Sequence, residues 1–154
     1  MPGRRVPSDA PLESRQWRFT PPVQVLAAFE AALQQHEAEG GVQGRGDRYR
    51  ANCAVLRDGL TSLGLQTYIA PEHQAPIILT FLSPRDPAYD FERLYSEVRD
   101  QGYVLYPGKL TKVATFRVGC VGAISPDQMK DAVRAIRETL LRHGVRDFAP
   151  APIA

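Results

Sequence analysis

Six residues near the middle of the chain, Ile77-Ile-Leu-Thr-Phe-Leu82, form its most hydrophobic run. Pro76 and Pro84 bound it, and it is too short for an ordinary helix. A short apolar run between breakers reads as a central strand. A central strand needs partners, and three other segments offer themselves. Leu65-Gln-Thr-Tyr-Ile69 alternates in polarity, while Tyr103-Val-Leu-Tyr106 and Thr115-Phe-Arg-Val118 are β-branched and aromatic.

Four helical patterns surround these strands. From Val23 to Glu39, Leu26, Phe29 and Leu33 mark one face, with Val25 and Ala32 beside it, and Gly40-Gly41 stops the pattern. Arg50 to Leu63 repeats Val55, Leu56, Leu60 and Leu63 before Gly64. Asp90 caps a third helix carrying Phe91, Leu94, Tyr95 and Val98, which ends at Gly102. Ser125-Pro-Asp-Gln128 opens the fourth with a capping box, and Met129, Val133, Ile136 and Leu140 line its buried side. Val42 to Tyr49, rich in glycine and arginine, reads as a connection between the first two helices. The element order α-α-β-β-α-β-β-α implies an α+β fold, a small, mostly antiparallel sheet with helices packed on one face. Residues 1–16 lack a period and read as an irregular lead-in, 17–146 as one domain, and 147–154 as an irregular tail.

A chain of 154 residues with a net charge of +2 has a core of its own and no electrostatic case for binding nucleic acid. Arg4 and Arg5 precede no apolar segment, and no run is long enough to span a membrane, so a soluble, cytoplasmic protein is expected. Cys53 and Cys120 lack metal-ligand spacing and are expected as buried free thiols. His36, His73 and His143 do not cluster with cysteines or carboxylates, so no metal site is expected.

Arg117 is the residue that stands out. On a pleated strand its neighbours Phe116 and Val118 point to the opposite face. Arg117 therefore faces either solvent or a polar pocket. A guanidinium on a rigid strand, followed by Gly119 and Gly122, suits a clamp for a carboxylate or phosphonate. Lys109 and Lys112, after the Pro107-Gly108 turn, are either solvated or near the same anion. No nucleophile elbow, phosphate-binding loop or paired carboxylate motif is present.

Four motifs occur in order: Trp17-Arg-Phe-Thr-Pro-Pro22, Gly40-Gly-Val-Gln-Gly-Arg-Gly-Asp-Arg-Tyr49, Tyr106-Pro-Gly-Lys-Leu110 and Phe116-Arg-Val-Gly119. Over about residues 16–143 the chain resembles the C-terminal small domain of class V aminotransferases, pyridoxal-phosphate enzymes of fold type I. The Tyr-Pro-Gly-Lys and Phe-Arg-Val-Gly motifs are most similar to the 2-aminoethylphosphonate–pyruvate aminotransferase subgroup. The resemblance implies a homodimeric enzyme of phosphonate degradation that moves an amino group from 2-aminoethylphosphonate to pyruvate. It implies that Arg117 binds the acidic end of the substrate. It further implies that Thr20 reaches the cofactor phosphate of the neighbouring subunit, and that Tyr106, Gly108 and Lys109 border the cleft.

The same resemblance exposes a gap. The family's cofactor domain, with its Schiff-base lysine, has no counterpart ahead of Trp17, and no lysine here stands in that context. The chain is therefore expected to be a fragment or a separately encoded half, inactive alone, bearing no catalytic residue of its own. Its partner would be a cofactor domain or a full-length aminotransferase subunit, and association into oligomers is expected. The alternatives are a non-enzymatic module that binds a small anion or a partner protein, or the small domain of another class V enzyme.

Overall fold

The computed structural model describes residues 19–106 and 113–150. The chain divides into two compact units, Met1–Glu39 and Gly40–Ala154. The described part of the first unit is helix α1, Val23–Ala38, with the short approach to it. The second unit contains α2 (Gly41–Thr61), β1 (Ile78–Leu82), α3 (Phe91–Asp100), β2 (Thr115–Gly119) and α4 (Pro126–Arg142).

Pro21 and Pro22 hold the approach to α1 out of helical geometry, and the helix starts directly after them. It ends where Gly40 and Gly41 take φ of 93° and 65°, in the left-handed region that favours glycine. None of the residues of α1 is buried.

The second helix begins earlier than its periodicity implies. The stretch Val42–Tyr49, expected as a connection, forms the first turns of α2. Two pairings compensate for its glycines. Gln43 Nε2 donates to both carboxylate oxygens of Asp47, and the Arg50 guanidinium closes on the same group. These i,i+4 and i,i+3 contacts support a helix of poor intrinsic propensity. Farther along, Gly59 lets α2 approach α4 closely. A methyl group there would lie 2.6 Å from Val133 Cγ1.

β1 and β2 pair antiparallel, with Phe81 opposite Phe116, Thr80 opposite Arg117 and Leu79 opposite Val118. Leu79, Phe81, Phe116 and Val118 are buried, whereas Thr80 and Arg117 are half-buried on the other face. Helices α2, α3 and α4 complete the core through Leu56, Leu60, Leu94, Val98, Met129, Ile136 and Leu140. Phe81 stacks on Phe116 with ring centroids 5.6 Å apart, and Tyr89 and Phe91 tilt against Phe116. Burial pushes the Tyr89 phenol up to about 12.

The sheet is narrower than expected. Leu65–Ile69 and Tyr103–Tyr106 lie along its two edges, but each contributes a single bridge, Thr67 to Phe81 and Tyr106 to Arg117. Thr67 Oγ1 donates to Ile69 O, and that local bond bends the chain away from β1 after one pairing. On the other edge the chain leaves Gly102, at φ 93°, and reaches β2 only at Tyr106.

The expected capping box of α4 is present, with Ser125 accepting from Gln128 N and Gln128 Oε1 accepting from Ser125 N. Asp90 caps α3 by accepting from Arg93 N. Helices α3 and α4 are joined at their ends by Glu97. Its carboxylate pairs with Arg142 at 3.0 Å and lies 2.9 Å from His143 Nε2. The Arg142 guanidinium, and then His143, hold this carboxyl down at about 2. A carboxyl depressed in the folded state stabilises fully above its unfolded value, near 4.5, and that contribution is lost as pH falls towards 2. The melting temperature should therefore be level above pH 5 and fall through that window. Glu97→Gln should make the acid limb shallower, and an unchanged limb would show that the pair does not couple to folding.

Candidate functional site

The residues singled out by sequence fall on both units. Arg117 sits at the centre of β2, with its side chain directed away from the core. The local pattern explains why, since Phe116 and Val118 fill the buried face and leave Arg117 the other one. Tyr106 lies beside it. The Tyr106 amide donates to Arg117 O at 3.1 Å, and the Arg117 guanidinium carbon lies 4.2 Å from the Tyr106 ring centroid. At that distance the guanidinium lies within cation–π range of the ring. Thr80 shares the same half-buried face, directly across the ladder from Arg117. Its contribution was not apparent from the local sequence, because it depends on the strand register.

The backbone beyond Arg117 is also fixed from α2. Arg48 Nη1 donates to Gly122 O and Ile124 O. Asn52 is fully buried and donates to Cys120 O at 3.3 Å and to Ile124 O at 3.0 Å. This pair thus clamps the glycine-containing exit of β2 to the second helix. Asn52→Ala should lower unfolding stability by about 1–3 kcal/mol, because it strips buried carbonyls of a donor. A urea midpoint indistinguishable from wild type would contradict that role.

Thr20 is exposed in the first unit, two residues ahead of the Pro22 that precedes α1. No side chain caps the first turn of this helix. Gly108 and Lys109 lie outside the described residues, as does Lys112. The one lysine among the described residues is Lys130, which is exposed and pairs with Asp127 at 2.8 Å. That hydrogen bond raises the Lys130 pKa.

Both cysteines are free and buried. Burial, together with the adjacent Cys53, pushes the Cys120 thiol up to about 12, which makes it a poor nucleophile. Among the described residues, no three His, Cys, Asp or Glu side chains gather to hold a metal ion. No helix among them is long and apolar enough to cross a membrane.

No family model matches the chain. Curated relatives do. The chain is 56% identical over 134 residues to the 2-aminoethylphosphonate–pyruvate transaminase of Paraburkholderia phymatum, a match covering 87% of this chain and 36% of that one. It is 53% identical over 133 residues to the enzyme of the same name from Cupriavidus taiwanensis, covering 86% of this chain and 35% of that one. Among solved structures it is similar to ureidoglycine–glyoxylate aminotransferase from Bacillus subtilis. The TM-score is 0.69 at 20% identity, covering 79% of this chain and 32% of the other, and this likeness establishes the fold. The chain thus spans about a third of the length of these relatives. Over most of its own length it is similar to about a third of the length of enzymes named 2-aminoethylphosphonate–pyruvate transaminase, and it shares the fold of the matching part of an aminotransferase.

Proposed function

We propose that the chain supplies the substrate-binding wall of a 2-aminoethylphosphonate–pyruvate transaminase and works only with a partner that carries the cofactor domain. The observation that carries this reading is the Arg117–Tyr106 stack. It presents a positioned guanidinium on a rigid strand, within a stretch closely similar to enzymes named for a phosphonate substrate.

The chemistry follows from charge and shape. A phosphonate offers several acceptor oxygens on one centre, and a guanidinium meets two of them with parallel N–H donors. The Tyr106 ring limits how the Arg117 side chain turns, so less freedom is lost when substrate binds. The Thr80 hydroxyl, across the ladder, lines the same face. Thr20 is assigned to the cofactor phosphate of the partner. Its exposed hydroxyl, ahead of a helix start that no side chain caps, suits an anion. Tyr106 borders the Arg117 side of the site in this reading. Pyridoxal phosphate, held by the partner, would supply the electron sink that transamination requires.

The chain alone should neither attach pyridoxal phosphate nor transaminate. After incubation with the cofactor and borohydride reduction, intact-mass analysis should find the chain unmodified. A reduced adduct on Lys109, Lys112 or Lys130 would overturn the division of labour proposed here.

A further inference from the structure

Two thiols that the candidate site does not use meet inside the second unit. Cys53 comes from the middle of α2 and Cys120 from the residue directly after β2. Both are free, and they are 5% and 0% exposed. The Cys53 side chain is a hydrogen-bond neighbour of the Cys120 thiol. Asn52, next to Cys53 in the helix, donates to Cys120 O at 3.3 Å and holds the two elements together at this point. Neighbouring thiols meet the first requirement of a disulfide, which tolerates little separation.

The two thiols are not equivalent. Cys53 lines an open cavity of about 400 Å³ between α2 and the segment that carries Pro71, Gln74 and Pro76. Cys120 does not line it. Arg50 and Arg57 line the same cavity, about one helical turn before Cys53 and one turn after it. Each guanidinium also meets an exposed carboxylate, Asp47 or Asp58, in surface pairings of little strength. A cysteine that lines a cavity between two cations has the setting of a reactive thiol, whereas a wholly buried cysteine reacts only with what its neighbours bring to it.

We infer that Cys53 is the point of attack for a hydroperoxide and that Cys120 resolves the product, so that the pair forms a reversible disulfide. In the first step the Cys53 sulfur bonds to one peroxide oxygen and the O–O bond breaks. The hydroxide leaves beside two cations, takes up the thiol proton and becomes water, and Cys53 is left as a sulfenic acid. In the second step the Cys120 sulfur bonds to the Cys53 sulfur and the S–O bond breaks. The departing hydroxide takes the Cys120 proton. Two thiols are thereby oxidised to one disulfide, and hydrogen peroxide is reduced to two waters. Cys120 needs no access to solvent for this, because its electrophile is the neighbouring sulfur. The bond ties α2 to the exit of β2, three residues beyond Arg117, where Asn52 already joins them. It closes a long loop, so the oxidised chain melts at a higher temperature than the reduced one.

The test is to treat the folded 154-residue chain with hydrogen peroxide, unfold it in N-ethylmaleimide and measure its intact mass. The expected result is a chain lighter by two hydrogens that takes up no maleimide, and that takes up two after reduction with dithiothreitol. A Cys120→Ala variant, oxidised in the presence of dimedone, should carry one adduct on Cys53, and a Cys53→Ala variant should carry none. Wild type needs no folding control: a limiting dose of N-ethylmaleimide on the native chain should label Cys53 ahead of Cys120. Two maleimides on the peroxide-treated wild-type chain would overturn the pairing. So would oxygen added to Cys53 without loss of hydrogens, or a bond between two chains in place of the internal one. Labelling of Cys120 first would reverse the roles and sink the assignment.

Discussion

Arg117→Ala, introduced into the chain co-assembled with a cofactor-bearing partner, is expected to reduce kcat/KM for 2-aminoethylphosphonate by roughly 30-fold to several hundred-fold. That corresponds to about 2–4 kcal/mol, the loss of a charge-assisted bidentate contact. Arg117→Lys should recover part of the loss, because the charge remains while the fork is gone. Folding should be little affected, since the side chain sits on the face away from the core, beside Tyr106. Tyr106→Leu should have a smaller effect and raise KM more than it lowers kcat, because the ring positions the guanidinium without contacting the reacting atoms. Steady-state kinetics on the three variants, with melting curves as folding controls, would decide the point. Unchanged kinetics in Arg117→Ala would remove the residue from the site.

The second large effect is structural. Phe116→Ala should lower unfolding stability by about 3–5 kcal/mol, a large share of the total for a domain of this size. The ring is 1% exposed and meets Phe81, Tyr89 and Phe91. Its removal leaves a cavity bounded by the sheet and the start of α3. It also loosens the strand that carries the next residue, Arg117. Phe116→Leu keeps much of the volume and should lose less. Urea unfolding of the chain gives both values, with Ile77→Ala, at a residue 46% exposed, as the reference. A shift in Phe116→Ala no larger than in Ile77→Ala would mean that the aromatic cluster does not hold the sheet to the helices.

Much of this arrangement was legible in the sequence, and the exceptions have physical causes. The capping box at Ser125, the Asp90 cap and the glycine stops at 64 and 102 are local signals, and each fell where local chemistry put it. The positions of the strands Ile78–Leu82 and Thr115–Gly119 followed from apolar runs between breakers, whereas their pairing with each other emerged from the structure. The start of α2 was missed because Gly44 and Gly46 lower helix propensity. Its compensation lies in side-chain pairs around Asp47 and in tertiary contacts from Arg48 and Asn52, which periodicity does not register. The two edge segments were read as full strands because composition reports β-propensity, whereas edge pairing depends on bends such as that at Thr67. Helix α1 was located correctly.

At the candidate site, the direction of Arg117 followed from strand alternation. Its stacking on Tyr106 did not, because the two residues are brought together by a bridge across the sheet edge. Thr80 entered by register alone.

The most direct test is the formation of alanine from pyruvate and 2-aminoethylphosphonate, with pyridoxal phosphate supplied. It would be measured for this chain, for the complementary part of a relative, and for the two co-expressed. The expected result is no turnover from either alone and pyruvate-dependent alanine formation from the pair, abolished or strongly reduced by Arg117→Ala. Turnover by the 154-residue chain alone, or a stable co-purified pair with no turnover, would contradict it.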